Sequence, residues 1–398
     1  SYDSPQFNAS SSLLNNSGSR DGFVVSIARN SGAISWGSSV NGVGFDNITG
    51  VTLDSNGGLV YSGWTSSPQL TINGTTLNNS GDTDFFVLWG HTNGSWDQGR
   101  IYGGTGKEQA HDIAADGNGK VMVVAEFTTS SMTLDQTSIS HGGGTGSDSL
   151  VMRVARSGVE WVRKPICSVN DRAWAVDVDS AGNVFVAGEI MANTSSGHQI
   201  TWGSIQISTS SYHSVYIVKF SNVGAIGWAL ETLVYTSSSG YFVRNPSLDI
   251  EGSHLLIGLN INYWFRFYSG SYQSNAIYPQ YQSRYSPNSL VVELSNTGSM
   301  AGSNYMTSQY SSVDDVAWMD MTSGLDHVIA PINGMPGSAG SYHYRSDAPA
   351  TTLQRYSWNS GPSSQQFYRL IGYTGAESII DLEPLNATSN VLLGSSSQ

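Results

Sequence analysis

A repeat of about 63 residues constrains this chain more than any other feature. Ser4, Pro5 and Gln6 recur as Ser67, Pro68 and Gln69. Leu14, Asn15, Asn16, Ser17, Gly18 and Asp21 recur as Leu77, Asn78, Asn79, Ser80, Gly81 and Asp84, at the same offset of 63. One apolar run starts as FVVSIA at Phe23 and returns as FFVLWG at Phe85, LVMRVA at Leu150, VYIVKF at Val215, LVVELS at Leu290 and LQRYSW at Leu353. Each run is followed by a turn and usually by a second run, as in AISWGSS, VEWVRKPI, AIGWALETL and QQFYRLIGY. A third run ends at an acidic turn and a fourth follows at once. The clearest case is AWAVDVDSAGNVFVAGE, from Ala173 to Glu189, and its relatives are ITGVTLDSNGGLVYSGW, HDIAADGNGKVMVVAEF and SLDIEGSHLLIGL. In such turns Asp bonds its own backbone and Gly tolerates positive φ. Each unit therefore reads as four short strands, with no convincing helical period.

Six copies of a four-stranded antiparallel unit predict an all-β fold, a single six-bladed β-propeller of four-stranded blades. The expected blades span residues 48–102, 111–167, 173–235, 246–307 and 314–374, with 377–398 completed by 1–41. The C-terminus supplies a third and fourth run, ESIIDLEP and NVLLGSS, and the N-terminus supplies the other two. The terminal strands are thus expected to share the last blade, which leaves no unpaired edge at the seam.

GVTLDSNGGLVYSGW and AVDVDSAGNVFVAGE, each followed by a run such as DSLVMRVARSGVEW, resemble the SBBP-type β-propeller repeat, which is related in pattern to NHL-type repeats. The resemblance is sharp in the first three units. In the last three the acidic turn becomes Glu251-Gly252, MTSGLD and EPLNATSN. It implies a propeller of secreted and surface proteins and carries no common catalytic residues. By the same analogy Trp36, Trp161 and Trp228 belong on outer strands, packing blade against blade.

The residues carry little recognisable chemistry. With 17 Lys+Arg against 30 Asp+Glu and no basic run, a nucleic-acid footprint is not expected. The single Cys167 excludes an intrachain disulfide and reads as a small buried residue. The eight histidines are scattered, so no metal site is expected. GGTGKE at Gly103 imitates a phosphate loop without its full spacing or following helix. Asp54, Asp116 and Asp179 sit once per repeat at the acidic turns, where turn stabilisation is favoured over calcium binding. The acidic neighbours Asp314 and Asp315, or Asp381 and Glu383, read as solvated strand ends rather than a glycosidase pair. No catalytic residue and no cofactor is assigned, and the chain is expected not to be an enzyme.

Other features point outside the cell. No apolar run approaches the ~20 residues of a membrane span, and Ser1 reads as a mature N-terminus with its leader removed. Eight sequons offer glycan acceptors: Asn8, Asn15, Asn47, Asn73, Asn78, Asn93, Asn193 and Asn386. The unit with the longest interval contains YWFRFYSGSYQSNAIYPQYQSRYSPN, with nine aromatics from Tyr263 to Tyr285. Tyr263, Trp264, Phe265, Tyr268, Tyr272, Tyr278, Tyr281 and Tyr285 are the candidate interface, in a segment expected to replace the short connector of the other units. The function expected is an extracellular, glycosylated structural subunit that self-associates in a filament, sheath or cell-surface layer. The alternative is a carbohydrate- or protein-binding, lectin-like or adhesive propeller, and a third, weaker one is a hydrolase or lyase.

Overall fold

The computed structural model describes residues 6–9, 12–28, 33–142, 146–192, 198–209, 213–234, 243–269, 272–273, 288–304, 320–321, 328–333, 351–356, 367–371, 376–386 and 389–397. Among these residues all regular structure is β, and every strand pairing is antiparallel. Six sheets share one meander of four strands. The first holds Asp46–Leu53, Leu59–Thr65, Asp84–Gly90 and Trp96–Tyr102. The second holds Glu108–Ala115, Lys120–Phe127, Asp148–Ala155 and Gly158–Arg163. The third holds Asn170–Val178, Val184–Met191, His213–Phe220 and Ile226–Leu233, and the fourth Val243–Glu251, His254–Ile261, Asn288–Ser295 and Met300–Asn304. The fifth holds Asp320–Met321, Val328–Asn333, Thr351–Tyr356 and Phe367–Ile371.

The sixth sheet joins the two ends of the chain. Ala376–Asn386 and Ser389–Ser397 pair with Gly22–Ala28 and Ile34–Val40. Ser26 lies opposite Val391 and Val24 opposite Leu393. The chain divides into two compact units, Ser1–His141 with Leu150–Arg163 and Glu377–Gln398, and Gly142–Ser149 with Lys164–Ala376.

Burial explains why each strand has its sequence. The third strands Asp84–Gly90 and Asp148–Ala155 lie second from the edge of their sheets and are buried at every residue. A strand buried on both faces needs a continuous apolar run rather than an alternating one. The fourth strands are edges, and Trp96–Tyr102 is half-buried along nearly all its length. Trp36 and Trp161 lie on such edge strands, Trp228 lies on the fourth strand of the third sheet, and two fourth-strand tryptophans reach a neighbouring sheet of their own unit. Trp96 Nε1 donates to the Ser39 carbonyl, and Trp228 Nε1 to that of Asn296, each at 3.1 Å.

The repeat includes features that the sequence pattern conceals. A second hairpin stands between the second and third strand of a sheet: Gln69–Ile72 with Thr75–Asn78, Ser131–Leu134 with Thr137–Ser140, and His198–Trp202 with Ile205–Thr209. Gln6–Ala9 with Ser12–Asn15 takes the same place in the sixth sheet, which accounts for the duplication at the start of the chain. The alternation is strict: Leu70, Ile72, Met132 and Leu134 are buried between exposed neighbours. Asn73 and Gly74 turn the first of these hairpins at positive φ, 46° and 78°.

The first strands of the first three sheets also bulge once, between Ile48 and Gly50, Ala110 and Asp112, and Ala173 and Ala175. The bulged Thr49 is thereby re-aimed, and its hydroxyl donates to the Ala110 carbonyl of the next sheet at 2.9 Å.

Candidate functional site

The acidic turns resolve as one repeated device. Asp54 Oδ1 accepts from the backbone N–H of Asn56 and of Gly58, both at 2.8 Å. Asp116 does the same for Asn118 and Lys120, at 2.8 and 3.1 Å, and Asp179 for Ala181 and Asn183, at 3.0 and 2.8 Å. The second oxygen of each Asp turns to a different partner. Asp116 Oδ2 pairs with Arg153, which also reaches Glu160 at 3.4 Å. Asp54 Oδ2 lies 3.8 Å from Arg156, which binds Asp97. Asp179 Oδ2 accepts from Asn183 Nδ2 at 2.8 Å. Asp97 and Glu160 occupy bulges of their edge strands, which is how an edge residue comes to face these arginines. The turn chemistry read from the sequence is what these aspartates perform.

A second acidic set, which the sequence reading missed, lies at strand starts. Asp46 and Glu108 open first strands and Asp21 and Asp84 immediately precede or open third strands; all four are fully enclosed. The backbone brings them together in pairs. Asp46 N–H donates to the Arg20 carbonyl at 2.7 Å, and Glu108 N–H to the Thr83 carbonyl at 2.8 Å. Arg20 faces Phe45 and Thr83 faces Lys107 in isolated parallel bridges. The third strand of one sheet is thus tied to the first strand of the next, with Asp21 beside Asp46 and Asp84 beside Glu108. In the other compact unit the buried Asp171 donates its N–H to Ser147 at 3.0 Å and sits beside Asp148.

The loops before these acids are built around them. Gly42-Val43-Gly44-Phe45-Asp46 and Gly104-Thr105-Gly106-Lys107-Glu108 are equivalents, and the second is the segment that imitates a phosphate loop. Gly104 N–H donates to Glu108 Oε2 at 2.7 Å, so the turn cradles the protein's own carboxyl. A Cβ at Gly44 would lie 2.7 Å from Ser66 Oγ, and one at Gly106 2.7 Å from Thr128 Oγ1, so close packing on the strand connector requires glycine.

Burial governs the protonation of these acids. It raises Asp46 from 3.8 to about 6, opposed by the Thr65 and Ser67 hydroxyls and assisted by the charge of Asp21. Burial likewise raises Asp171 to about 7 against its bonds from Ser149, with Asp148 adding to the rise. Asp21, Asp84 and Glu108 are raised for the same first reason.

One buried cluster has the residue types of a nucleophilic triad. Ser214 donates to Glu231 Oε1, and His198 Nε2 lies 2.6 Å from the same oxygen. Both hydroxyl and imidazole converge on the carboxylate, whereas activation of a serine requires the imidazole to take the hydroxyl proton. All three side chains are enclosed in the core. Burial pushes the Cys167 thiol up to about 12, which keeps it protonated and inert. No group of three or more His, Cys, Asp or Glu among the described residues is arranged to hold a metal ion.

The sequence-predicted surface sites fall in several places. Asn15, Asn73, Asn78 and Asn93 are exposed. Asn93 Oδ1 accepts from Ser95 N–H and Oγ, at 3.0 and 2.8 Å. Asn47 lies within a strand, half-buried, with its Oδ1 enclosed and unpartnered. Asn193, Tyr278, Tyr281 and Tyr285 lie outside the described residues, as do Asp314 and Asp315 and the side chains of Asn8, Tyr272, Asp381, Glu383 and Asn386.

The aromatic segment does not replace a short connector. It begins as the same inter-strand hairpin seen elsewhere, and Arg266–Ser269 with Tyr272–Gln273 extends the edge of the third sheet, with Thr232 opposite Phe267. Phe265 and Phe267 are fully buried in a core cluster, so Phe265 is an anchor of the fold and not a surface contact. Tyr263, Trp264 and Tyr268 are half-buried around them.

Neither a protein-family model nor a curated protein sequence matches the chain. Among solved structures it is similar to Trypanosoma rangeli sialidase in complex with the inhibitor DANA, at 11% identity and a TM-score of 0.39, over 93% of this chain and 57% of that one. It is also similar to a D477G ACO/RPE65 chimera, at 7% identity and a TM-score of 0.30, over 75% of this chain and 52% of that one. The chain thus spans little more than half the length of either. The expectation that it is not an enzyme is corrected here, since the first of these structures is an enzyme. At these identities and TM-scores neither likeness assigns an activity to this chain.

Proposed function

We propose that the six sheets are the blades of one closed six-bladed propeller, and that the protein is an extracellular, glycosylated subunit of a filament, sheath or cell-surface layer. The pairing of Gly22–Ala28 with Ser389–Ser397 supports closure, because it completes a four-stranded sheet from both ends of the chain. Four exposed sequon asparagines support the glycosylated surface.

The observation that carries the assembly reading is the added hairpin on the third sheet. Pairing Arg266–Ser269 to Ile226–Leu233 fixes an aromatic rim on an outer edge. Phe265 and Phe267 root that rim in the core, while Tyr263, Trp264 and Tyr268 stay partly open, with Tyr263 and Trp264 rings 5.8 Å apart. Rigid aromatic side chains of this kind carry contact energy at low entropic cost. One such rim per subunit, set against a different surface of the next copy, propagates head to tail. Replacing Tyr263, Trp264 and Tyr268 together by Ser tests this by sedimentation velocity. The reading expects loss of assembled species with the circular dichroism spectrum retained. Unchanged assembly of the folded triple variant contradicts it.

A further inference from the structure

The enclosed acid pairs have a property that neither turn chemistry nor assembly explains. Two carboxyl groups are brought together at a strand junction, and one oxygen of the pair has no partner. Asp21 Oδ1 and Asp84 Oδ1 are buried without a hydrogen bond, and Asp171 Oδ2 is the counterpart in the other unit. The remaining oxygens face donors. Asp21 Oδ2 accepts from Ser17 N–H at 2.8 Å and Asp84 Oδ2 from Ser80 N–H at 2.7 Å. Asp46 accepts from the Thr65 and Ser67 hydroxyls, and Glu108 from the N–H of Gly104 and of Thr129. These donors favour the ionised acids, and burial outweighs them.

We infer that each pair holds one proton between its two acids, and that releasing this proton to solvent loosens the junction between the strands that carry them. The inference rests on enclosure, on the orphaned oxygens and on recurrence at the repeat spacing. Two carboxylates placed together out of water cannot both ionise cheaply, and a proton on one of them supplies the donor that the orphaned oxygen lacks.

The other charged groups at each junction are few. Arg20 lies over the Phe45 ring at 6.0 Å. At the second junction Lys107 pairs with Asp82 at 3.6 Å on the exposed side, both side chains well solvated. In the other unit Lys164 sits 3.2 Å from Asp148, Arg172 binds the Ser147 hydroxyl at 3.3 Å, and Tyr216 binds that of Ser149 at 3.1 Å. Cys167, Glu231 and Glu189 are further titratable groups of that set.

The direction of the pH effect follows from these groups. Asp46 and Asp171 titrate at about 6 and about 7 in the folded protein against an ordinary value of 3.8. Between that value and the folded one the native state binds more protons than the unfolded chain, so stability is greatest near the lower limit and falls as pH rises through the folded values. The protein is then tuned to mildly acidic surroundings.

Thermal unfolding of the full chain across about pH 4.5 to 8.5 tests this, with Asp46→Asn and Asp171→Asn beside it. The wild-type Tm is expected to fall by on the order of 5 °C or more toward the alkaline end. Each amide mimics the protonated acid and is expected to flatten that slope. A wild-type Tm that is level or rising over this range, or folded variants that keep the full slope, overturns the inference. Should neither variant fold, the infrared carbonyl band of a protonated carboxyl in the wild type decides: present at about pH 5.5 and lost by about pH 8 supports it, absent at both overturns it.

Discussion

At the scale of single residues, the same aspartate serves three turns but carries unequal weight. Among the described residues Asp179 bonds its own turn, Asn183 included, whereas Asp116 also meets Arg153, whose side chain is nearly enclosed. Removing Asp179 as Ala is expected to cost about 1–2 kcal/mol, the worth of a few local hydrogen bonds. Removing Asp116 takes an enclosed ion-pair partner from a largely buried guanidinium, and about 3–5 kcal/mol is expected. Urea unfolding of the two variants checks the difference, and equal costs would contradict the role given to Arg153. The turn aspartates were legible because DSNGG, DGNGK and DSAGN announce a tight turn. The enclosed acids were not. Asp21 and Asp84 were visible as a recurrence, but pattern alone does not distinguish an acid solvated at a strand end from one sealed under a loop. What seals them is Gly42–Gly44 and Gly104–Gly106 packing on the next connector, a contact between residues more than twenty positions apart.

At the scale of elements, the apolar runs were legible because a strand enclosed on both faces, as Asp84–Gly90 and Asp148–Ala155 are, takes a mostly continuous apolar sequence. FVVSIA, FFVLWG, LVMRVA, VYIVKF, LVVELS and LQRYSW each overlap the third strand of a sheet. The connector hairpins were hidden by their shortness: four residues alternating between Ser, Thr and a single aliphatic look like loop. The bulges were hidden for another reason, since an extra residue in a ladder shows only against its partner strand.

The aromatic segment shows the same limit. Phe265 and Tyr268 read alike in sequence, yet one is enclosed and the other half-buried. Phe265→Ala is expected to cost about 3–5 kcal/mol by leaving a cavity, and Tyr268→Ser under about 1 kcal/mol. Chemical denaturation midpoints measure both. A near-neutral Phe265→Ala would contradict its place in the core.

At the scale of the whole molecule, the proposal joins closure, glycans and self-association. Deleting residues 1–40 removes two of the four strands of the sixth sheet and bares an edge at Ser389–Ser397. The truncated protein is expected to aggregate, since an unpaired edge templates further strands. A monomeric truncation with an unchanged Tm would contradict closure. Intact mass is expected to exceed the 42.5 kDa of the bare chain by several glycans, and a mass equal to it would remove the extracellular argument.

The most direct test of the proposal is a cryo-electron microscopy reconstruction of the protein in the state isolated from its native source. The account predicts repeating subunits, each a ring of six four-stranded blades, with glycan density at Asn15, Asn73, Asn78 or Asn93 and an inter-subunit contact that includes Tyr263, Trp264 and Tyr268. Dispersed monomers, a ring with another number of blades, or a contact that leaves this aromatic rim in solvent would contradict it.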